Sequence, residues 1–196
     1  MKSNIFKIIT LTMLLVVTLP SCRKTAKFHE EQSAVKSESS SPVTIDDDGL
    51  PSAPPASKPV LDLPGILSDD DIADITERSH ELYDLELAQV AVLIVNDLNG
   101  KNCLDYATAV GKKWGVGRKE VNDGITIVIK PKTDQSKDQA AIATGYGMEK
   151  ILTNDKCHNI IETKMIPLFK EDNYGEAIKV ALDEIKEILT TEQSKK

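Results

Sequence analysis

The sequence predicts an α/β sandwich in which helices flank a small mixed β-sheet. A nearly unbroken apolar run at residues 90–95 is typical of a strand buried on both faces. Such runs alternate with segments whose apolar residues recur at helical spacing, an order typical of α/β proteins. The chain has 196 residues and a formal net charge of −7, which argues against a basic protein that binds nucleic acid.

The first 21 residues have the pattern of a secretory signal peptide. A short basic start is followed by about a dozen apolar residues, too few to span the roughly 30 Å hydrocarbon core of a bilayer. The segment Leu19-Pro20-Ser21-Cys22 resembles the bacterial lipobox, which predicts that Cys22 is lipidated. The chain would then be tethered to a bilayer in the bacterial envelope, with its domain facing the periplasm. An ordinary cleaved signal followed by a free thiol is the alternative.

Residues 22–57 are rich in Ser, Pro, Glu and Lys and have almost no aromatic side chains. Such a segment has too little apolar surface to offset the entropy that ordering its backbone would cost. We therefore predict a disordered stalk at 22–57 and one folded domain at 58–196.

The first predicted helix begins at Ser68, which has capping-box spacing to Asp71. Its apolar face runs to Leu82, and the apolar run at 90–95 is the first predicted strand. Apolar residues at helical spacing then predict a second helix, which ends near Trp114 on its apolar side.

The turn Asn122-Asp123-Gly124 precedes a second strand at 125–129, which Pro131 stops. A polar loop at 133–137 leads directly to a third strand at 139–143. Two further helical patterns follow Gly145-Tyr146-Gly147.

The connections between these strands predict which loops meet. A helical crossover should leave the first two strands parallel, whereas the short loop should make the second and third antiparallel. Asp123 and the glycines at 145 and 147 should therefore lie at the same edge of the sheet. Asp155, near the start of the next helix, can reach that edge too.

Four segments resemble, in this order, the landmarks of the TPM domain family, and the resemblance covers nearly all of residues 58–190. The segments are Val60-Leu61-Asp62-Leu63-Pro64-Gly65-Ile66-Leu67-Ser68, Trp114-Gly115-Val116-Gly117, Asn122-Asp123-Gly124-Ile125 and Gly145-Tyr146-Gly147-Met148-Glu149. The family includes thylakoid-lumen acid-phosphatase-like proteins and many bacterial envelope proteins. The resemblance implies an α/β sandwich with an acidic cluster that can bind a divalent metal such as calcium.

Carried over to this chain, that cluster would be Asp62, Asp123 and Asp155. Only Asp62 rests on the resemblance alone. The supporting loops would contain Asn122, Gly124, Gly145 and Gly147. Calcium takes six to eight oxygen ligands, and carboxylates, an amide and backbone carbonyls supply such oxygens.

Two functions follow from the resemblance. The first is a non-catalytic or weakly catalytic role in assembling, maintaining or modulating membrane proteins, through an envelope protein partner. The second is a metal-dependent acid phosphatase that hydrolyses phosphomonoesters with the three aspartates.

The residues alone leave simpler interpretations open. Asp123 can stabilise a turn and Asp155 can cap a helix. The two glycines around Tyr146 can cradle a phosphate or form a tight turn. Cys103 and Cys157 can form a disulfide in an oxidising envelope or remain thiols.

Overall fold

A computed structural model describes residues 43–131 and 139–195. The predicted signal peptide, Cys22 and the stalk up to residue 42 lie outside the described residues, as does the polar loop at 133–137.

The sheet has four strands: β1 (Val60–Asp62), β2 (Gln89–Ile94), β3 (Gly124–Ile129) and β4 (Ala140–Thr144). They lie in sequence order, with β1, β2 and β3 parallel and β4 antiparallel to β3. The predicted parallel pair and the predicted antiparallel pair are therefore confirmed. β1 was not predicted, because three residues are too few to show the alternation that identifies a strand.

The helices are α1 (Asp69–Asp84), α2 (Cys103–Trp114), α3 (Asn154–Ile160), α4 (Ile166–Phe169) and α5 (Tyr174–Gln193). A π-helical turn, Ile161–Met165, joins α3 to α4. The predicted cap of α1 is confirmed, because the Ser68 hydroxyl accepts a hydrogen bond from the Asp71 N–H at 3.0 Å. Asp69, Asp70 and Asp71 then place three carboxylates at the positive end of the helix dipole.

The sheet divides the core into two layers. Alternate side chains of β2, such as Val92 and Leu93, point to opposite faces and are completely buried. Helices α1, α3, α4 and α5 cover one face, and α2 covers the other. Cys157 packs on the first face and Cys103 on the second, so no disulfide joins them.

The folded domain begins earlier than the predicted boundary at residue 58. Within 43–57, the Leu50 side chain is only 5% exposed and packs with α2, and the Trp114 indole N–H donates to the Pro51 carbonyl at 2.9 Å. Proline-rich composition suggested a stalk here, but an apolar side chain and several long-range hydrogen bonds attach this part of it to the domain.

Charge also holds this segment against α2. The Lys113 ammonium lies 2.6 Å from a carboxylate oxygen of Asp46 and 2.7 Å from one of Asp48. The turn at 46–49 therefore uses two of the three carboxylates of the run Asp46-Asp47-Asp48 in ion pairs.

In the two described ranges, no helix is both long enough and apolar enough to cross a membrane.

Helix α1 is tied to α5 by a partly buried ion pair that should make stability depend on pH. The Asp71 carboxylate accepts from the Ser68 hydroxyl at 2.6 Å and lies 3.0 Å from the Lys179 ammonium. The Ser68 bond first, and Lys179 second, lower the pKa of Asp71. The resulting stabilisation is complete above the unfolded-state pKa near 3.8 and is lost as the pH falls through the lower folded-state value.

We expect Asp71→Asn to lower the free energy of unfolding by about 1 kcal/mol at pH 7, because the carboxylate is only partly exposed. Urea denaturation should show this gap shrinking below about pH 4 and closing at lower pH. Asp70→Asn is the matched control, since it removes an exposed carboxylate from the same helical turn. A gap that stays constant between pH 7 and pH 3 would contradict the assignment.

Candidate functional site

The loop before β3 and the loop after β4 meet at the end of the sheet where β3 begins and β4 ends. The Gly145 N–H donates to the Gly124 carbonyl at 2.8 Å, and the Gly147 N–H donates to the Asn122 carbonyl at 3.0 Å. The predicted meeting of Asp123 with the glycines at 145 and 147 is confirmed. We call residues 115–124 and 145–147 together the glycine edge.

Backbone atoms fill the space beside these glycines. A Cβ added at Gly124 would lie 2.2 Å from the Val116 carbonyl oxygen, and one at Gly147 would lie 2.0 Å from that of Val121. A Cβ at Gly145 would come within 2.3 Å of another carbonyl oxygen. Glycine is therefore required for close packing of the loops, and the carbonyl oxygens beside it disfavour the phosphate-cradle interpretation.

Asp123 is buried inside this edge and is fully engaged by Arg118. The Asp123 side chain is 1% exposed. Its carboxylate accepts from the Arg118 backbone N–H at 2.7 Å and from the Arg118 Nε at 2.6 Å, and it forms an ion pair with the terminal guanidinium nitrogen. Since a buried carboxylate needs a countercharge, this pairing accounts for its burial.

Arg118 extends the connection to the turn between α1 and β2. Its guanidinium donates to the Glu86 carbonyl at 2.8 Å and lies 5.9 Å from the centre of the Tyr83 ring. Asp123 beside it raises the pKa of Arg118 further above its usual value. Sequence reasoning missed Arg118. A usable signal was a cation five residues before Asp123, in a loop with glycines between a helix and a strand.

Asp62 lies at the opposite end of the sheet from Asp123. It pairs with Ile94 at the end of β2, whereas Gly124, which follows Asp123, pairs with Gln89 at the start. These ends are five residue steps apart along β2, or about 16 Å at 3.3 Å per residue. The Asp62 carboxylate instead accepts from the backbone N–H groups at 65 and 67, at 3.0 and 2.7 Å, and so closes the turn that leads to α1.

Asp155 does not join either aspartate. It is exposed in the first turn of α3, where the Thr153 hydroxyl is the cap. Among residues 43–131 and 139–195, no three His, Cys, Asp or Glu side chains are grouped so as to hold a metal ion. The three aspartates predicted to share a metal ion therefore do not converge in this structure, because Asp62 lies at the other end of the sheet and the Asp123 carboxylate pairs with Arg118.

The predicted supporting residues hold the backbone of the glycine edge together. Asn122 has a φ of 55°, a left-handed conformation that asparagine adopts more readily than most residues, and its carbonyl accepts from the Gly147 N–H. Gly124, Gly145 and Gly147 permit the close backbone contacts described above. Cys22, the predicted lipidation site, lies outside the described residues.

Apolar side chains project from the glycine edge and its border. Tyr146 is 78% exposed between two packed glycines, and the neighbouring Val121 is 51% exposed. Across Arg118, Tyr83 and Leu85 are 48% and 47% exposed. This end of the domain thus presents four large exposed apolar side chains, two of them on the closely packed backbone of the glycine edge.

Breaking the buried Asp123–Arg118 pair should lower the free energy of unfolding more than removing an exposed carboxylate does. We expect Asp123→Asn to lower the free energy of unfolding by about 2–4 kcal/mol, because it leaves a guanidinium and a backbone N–H without their anionic acceptor. Chemical denaturation of the variant, beside Asp155→Asn as an exposed control with an expected change below about 0.5 kcal/mol, measures this. A calcium-dependent rise in melting temperature that Asp123→Asn abolishes would show that the carboxylate serves a metal instead.

The glycines should be needed for folding stability, whereas the tyrosine between them should not. We expect Gly147→Ala to cost about 1–3 kcal/mol or more, because its Cβ would overlap the Val121 carbonyl oxygen. Tyr146→Ala removes an exposed side chain and should change stability by less than about 0.5 kcal/mol. Thermal unfolding of the two variants checks the contrast, and equal effects would argue against backbone packing as the role of Gly147.

Solved structures share this fold. A solution NMR structure of the N-terminal domain of a protein from P. gingivalis is similar at 23% sequence identity and a TM-score of 0.61, covering 70% of this chain and 85% of that one. The BA42 protein from Bizionia argentinensis is similar at 13% identity and a TM-score of 0.53, covering 66% and 85%. The N-terminal domain of the cg2496 protein from Corynebacterium glutamicum is similar at 12% identity and a TM-score of 0.52, covering 65% and 77%.

Curated proteins give no match to the chain. The family model of the TPM domain matches residues 60–188, from β1 to near the end of α5. This range contains all four strands, the Asp123–Arg118 pair and the glycine edge. The chain therefore belongs to the TPM domain family.

Proposed function

We propose that this chain is a lipid-tethered protein of the bacterial envelope and that its TPM domain is a non-catalytic module that binds another envelope protein. The tether is the acylated Cys22, after the signal-like segment 1–21, and the domain faces the periplasm. The role that suits this arrangement is assembly or maintenance of a membrane protein. The sequence pattern at residues 1–22 supports the tether.

The exposed apolar side chains of the glycine edge are the main support for the binding proposal. Large apolar side chains that stand together on a soluble domain commonly mark a protein-binding surface. Aromatic anchors such as Tyr146 contribute strongly to such interfaces because they bury much area and lose few rotamers. The close backbone contacts beneath Tyr146 support low ordering costs on binding.

The phosphatase alternative has less support from the geometry. It needs Asp62, Asp123 and Asp155 around one metal ion, and these aspartates do not converge. Asp123 is also committed to Arg118, so its carboxylate has no free oxygen directed at solvent or substrate. His158, three residues after Asp155, is a candidate general acid by sequence position alone, and its side chain is exposed on α3.

Site-specific photo-crosslinking in living cells tests the binding proposal. A photoreactive amino acid at position 146 should give discrete crosslinked bands in the membrane fraction, because Tyr146 would lie inside the interface. The matched control is position 104, where Leu104 is 50% exposed on α2, away from the glycine edge. We expect at least about a fivefold stronger adduct at 146 than at 104, identified as one protein by mass spectrometry.

Two results would overturn the proposal. The first is equal and diffuse crosslinking at both positions. The second is turnover of a phosphomonoester by the purified protein that requires divalent metal and is lost in Asp155→Asn, a substitution at an exposed residue that should leave the fold intact.

A further inference from the structure

A cavity of about 360 Å³ lies at the outer edge of β2, beneath residues 53–59, which we call the proline strap. One wall is the end of α1, with His80 and Tyr83, and the opposite wall includes Trp114. The floor is the first half of β2, from Gln89 to Ala91. The cavity thus occupies the position where β1 would continue if it were longer.

The backbone of Val90 faces this cavity with no partner from the strap. The Val92 N–H donates to the Pro59 carbonyl at 2.8 Å, and Gln89 donates to Asp123 on the β3 side at 3.1 Å. In a parallel ladder, alternate residues bond to opposite neighbours, so the N–H and C=O of Val90 point to the β1 side.

Pro59 is the reason that the ladder stops there. Continuing the register of β1 would require the N–H of residue 59 to donate to the Val90 carbonyl, and proline has no N–H. In the described part of the chain, no hydrogen bond joins Val90 to residues 53–58. Val90 is only 3% exposed, and buried backbone groups are nearly always paired in folded proteins.

We propose that this cavity binds one residue of an extended peptide with an apolar side chain, as a short continuation of β1. The carbonyl of the peptide group before that residue accepts from the Val90 N–H, and the N–H of the peptide group after it donates to the Val90 carbonyl. The side chain points, like that of Val90, to the α1 face of the sheet and packs against Tyr83. The volume suits one blocked amino acid, since a 150 Å³ apolar cavity is enough for benzene.

The chemistry of the lining selects this ligand class over others. A donor and an acceptor spaced as on a β-strand edge match a peptide, whereas an anion would have only the donor to bind. Three prolines and two aromatic residues favour an apolar side chain. The proposal does not depend on partner binding at the glycine edge, which shares Val116 with the cavity and has Tyr83 at its border.

N-acetyl-leucinamide is a suitable probe because it carries one apolar side chain between a carbonyl and an N–H. On titration into ¹⁵N-labelled protein, we expect the Val90 backbone amide and the Trp114 indole resonance to shift together, with a Kd of about 1–10 mM for so small a ligand. Trp114 is the single tryptophan of the chain, so its fluorescence gives an independent readout. The methyl ester of N-acetyl-leucine lacks the terminal N–H and should bind at least about fivefold more weakly.

Pro59→Ala supplies the missing N–H from the protein itself. The new N–H can donate to the Val90 carbonyl, so this variant should keep its fold and bind the probe about fivefold to tenfold more weakly. Pro64→Ala is the control, because it makes the same change outside the cavity, and Tyr146→Ala should also leave binding unchanged. The proposal is overturned if the amide and the ester bind equally, if Val90 does not shift at saturation so that the cavity holds only water, or if Pro59→Ala binds like the parent.

Discussion

Close contact between backbones at the glycine edge is the constraint on which this end of the domain depends. Gly124, Gly145 and Gly147 let the loops before β3 and after β4 approach to distances that a Cβ would prevent. This approach closes the turn at 118–122 over the start of β3, and the turn buries Asp123. A buried carboxylate requires a countercharge, which the same turn supplies in Arg118. One steric condition thus leads, step by step, to the only buried acidic side chain among the described residues.

The pairing changes what an aspartate at this position can do. Both oxygens of Asp123 accept hydrogen bonds from Arg118, so the carboxylate fixes a loop and is not free to ligate a metal or transfer a proton. The guanidinium also donates to the Glu86 carbonyl and so connects this loop to the α1–β2 turn. What remains exposed above the pair is apolar, chiefly Tyr146 and Val121. The pairing that commits the Asp123 carboxylate to Arg118 therefore lies beneath the exposed apolar side chains that we propose as a binding surface.

The parts of the fold that the sequence predicts are those with a long or repeated signal. Unbroken apolar runs identify β2 and β3, and connection lengths give their orientation, which brings Asp123 to Gly145. The errors came from short or long-range features. β1 has three residues and no visible alternation, so its parallel pairing, which sends Asp62 to the far edge, was not foreseen. The contact of Pro51 with Trp114 spans 63 residues, and composition alone cannot register it.

The brevity of β1 has a further consequence for the edge of the sheet. An open strand edge with unpaired N–H and C=O groups invites pairing with other chains, and proteins commonly protect such edges with proline or a covering loop. Here the proline strap covers β2 without completing its hydrogen bonds, because Pro59 cannot donate to Val90. Such cover blocks a long intruding strand while leaving space for a single residue beside Val90. The proline strap would therefore both limit aggregation and form the proposed peptide site. Pro59 is the residue that leaves the Val90 backbone unpaired, because proline has no N–H.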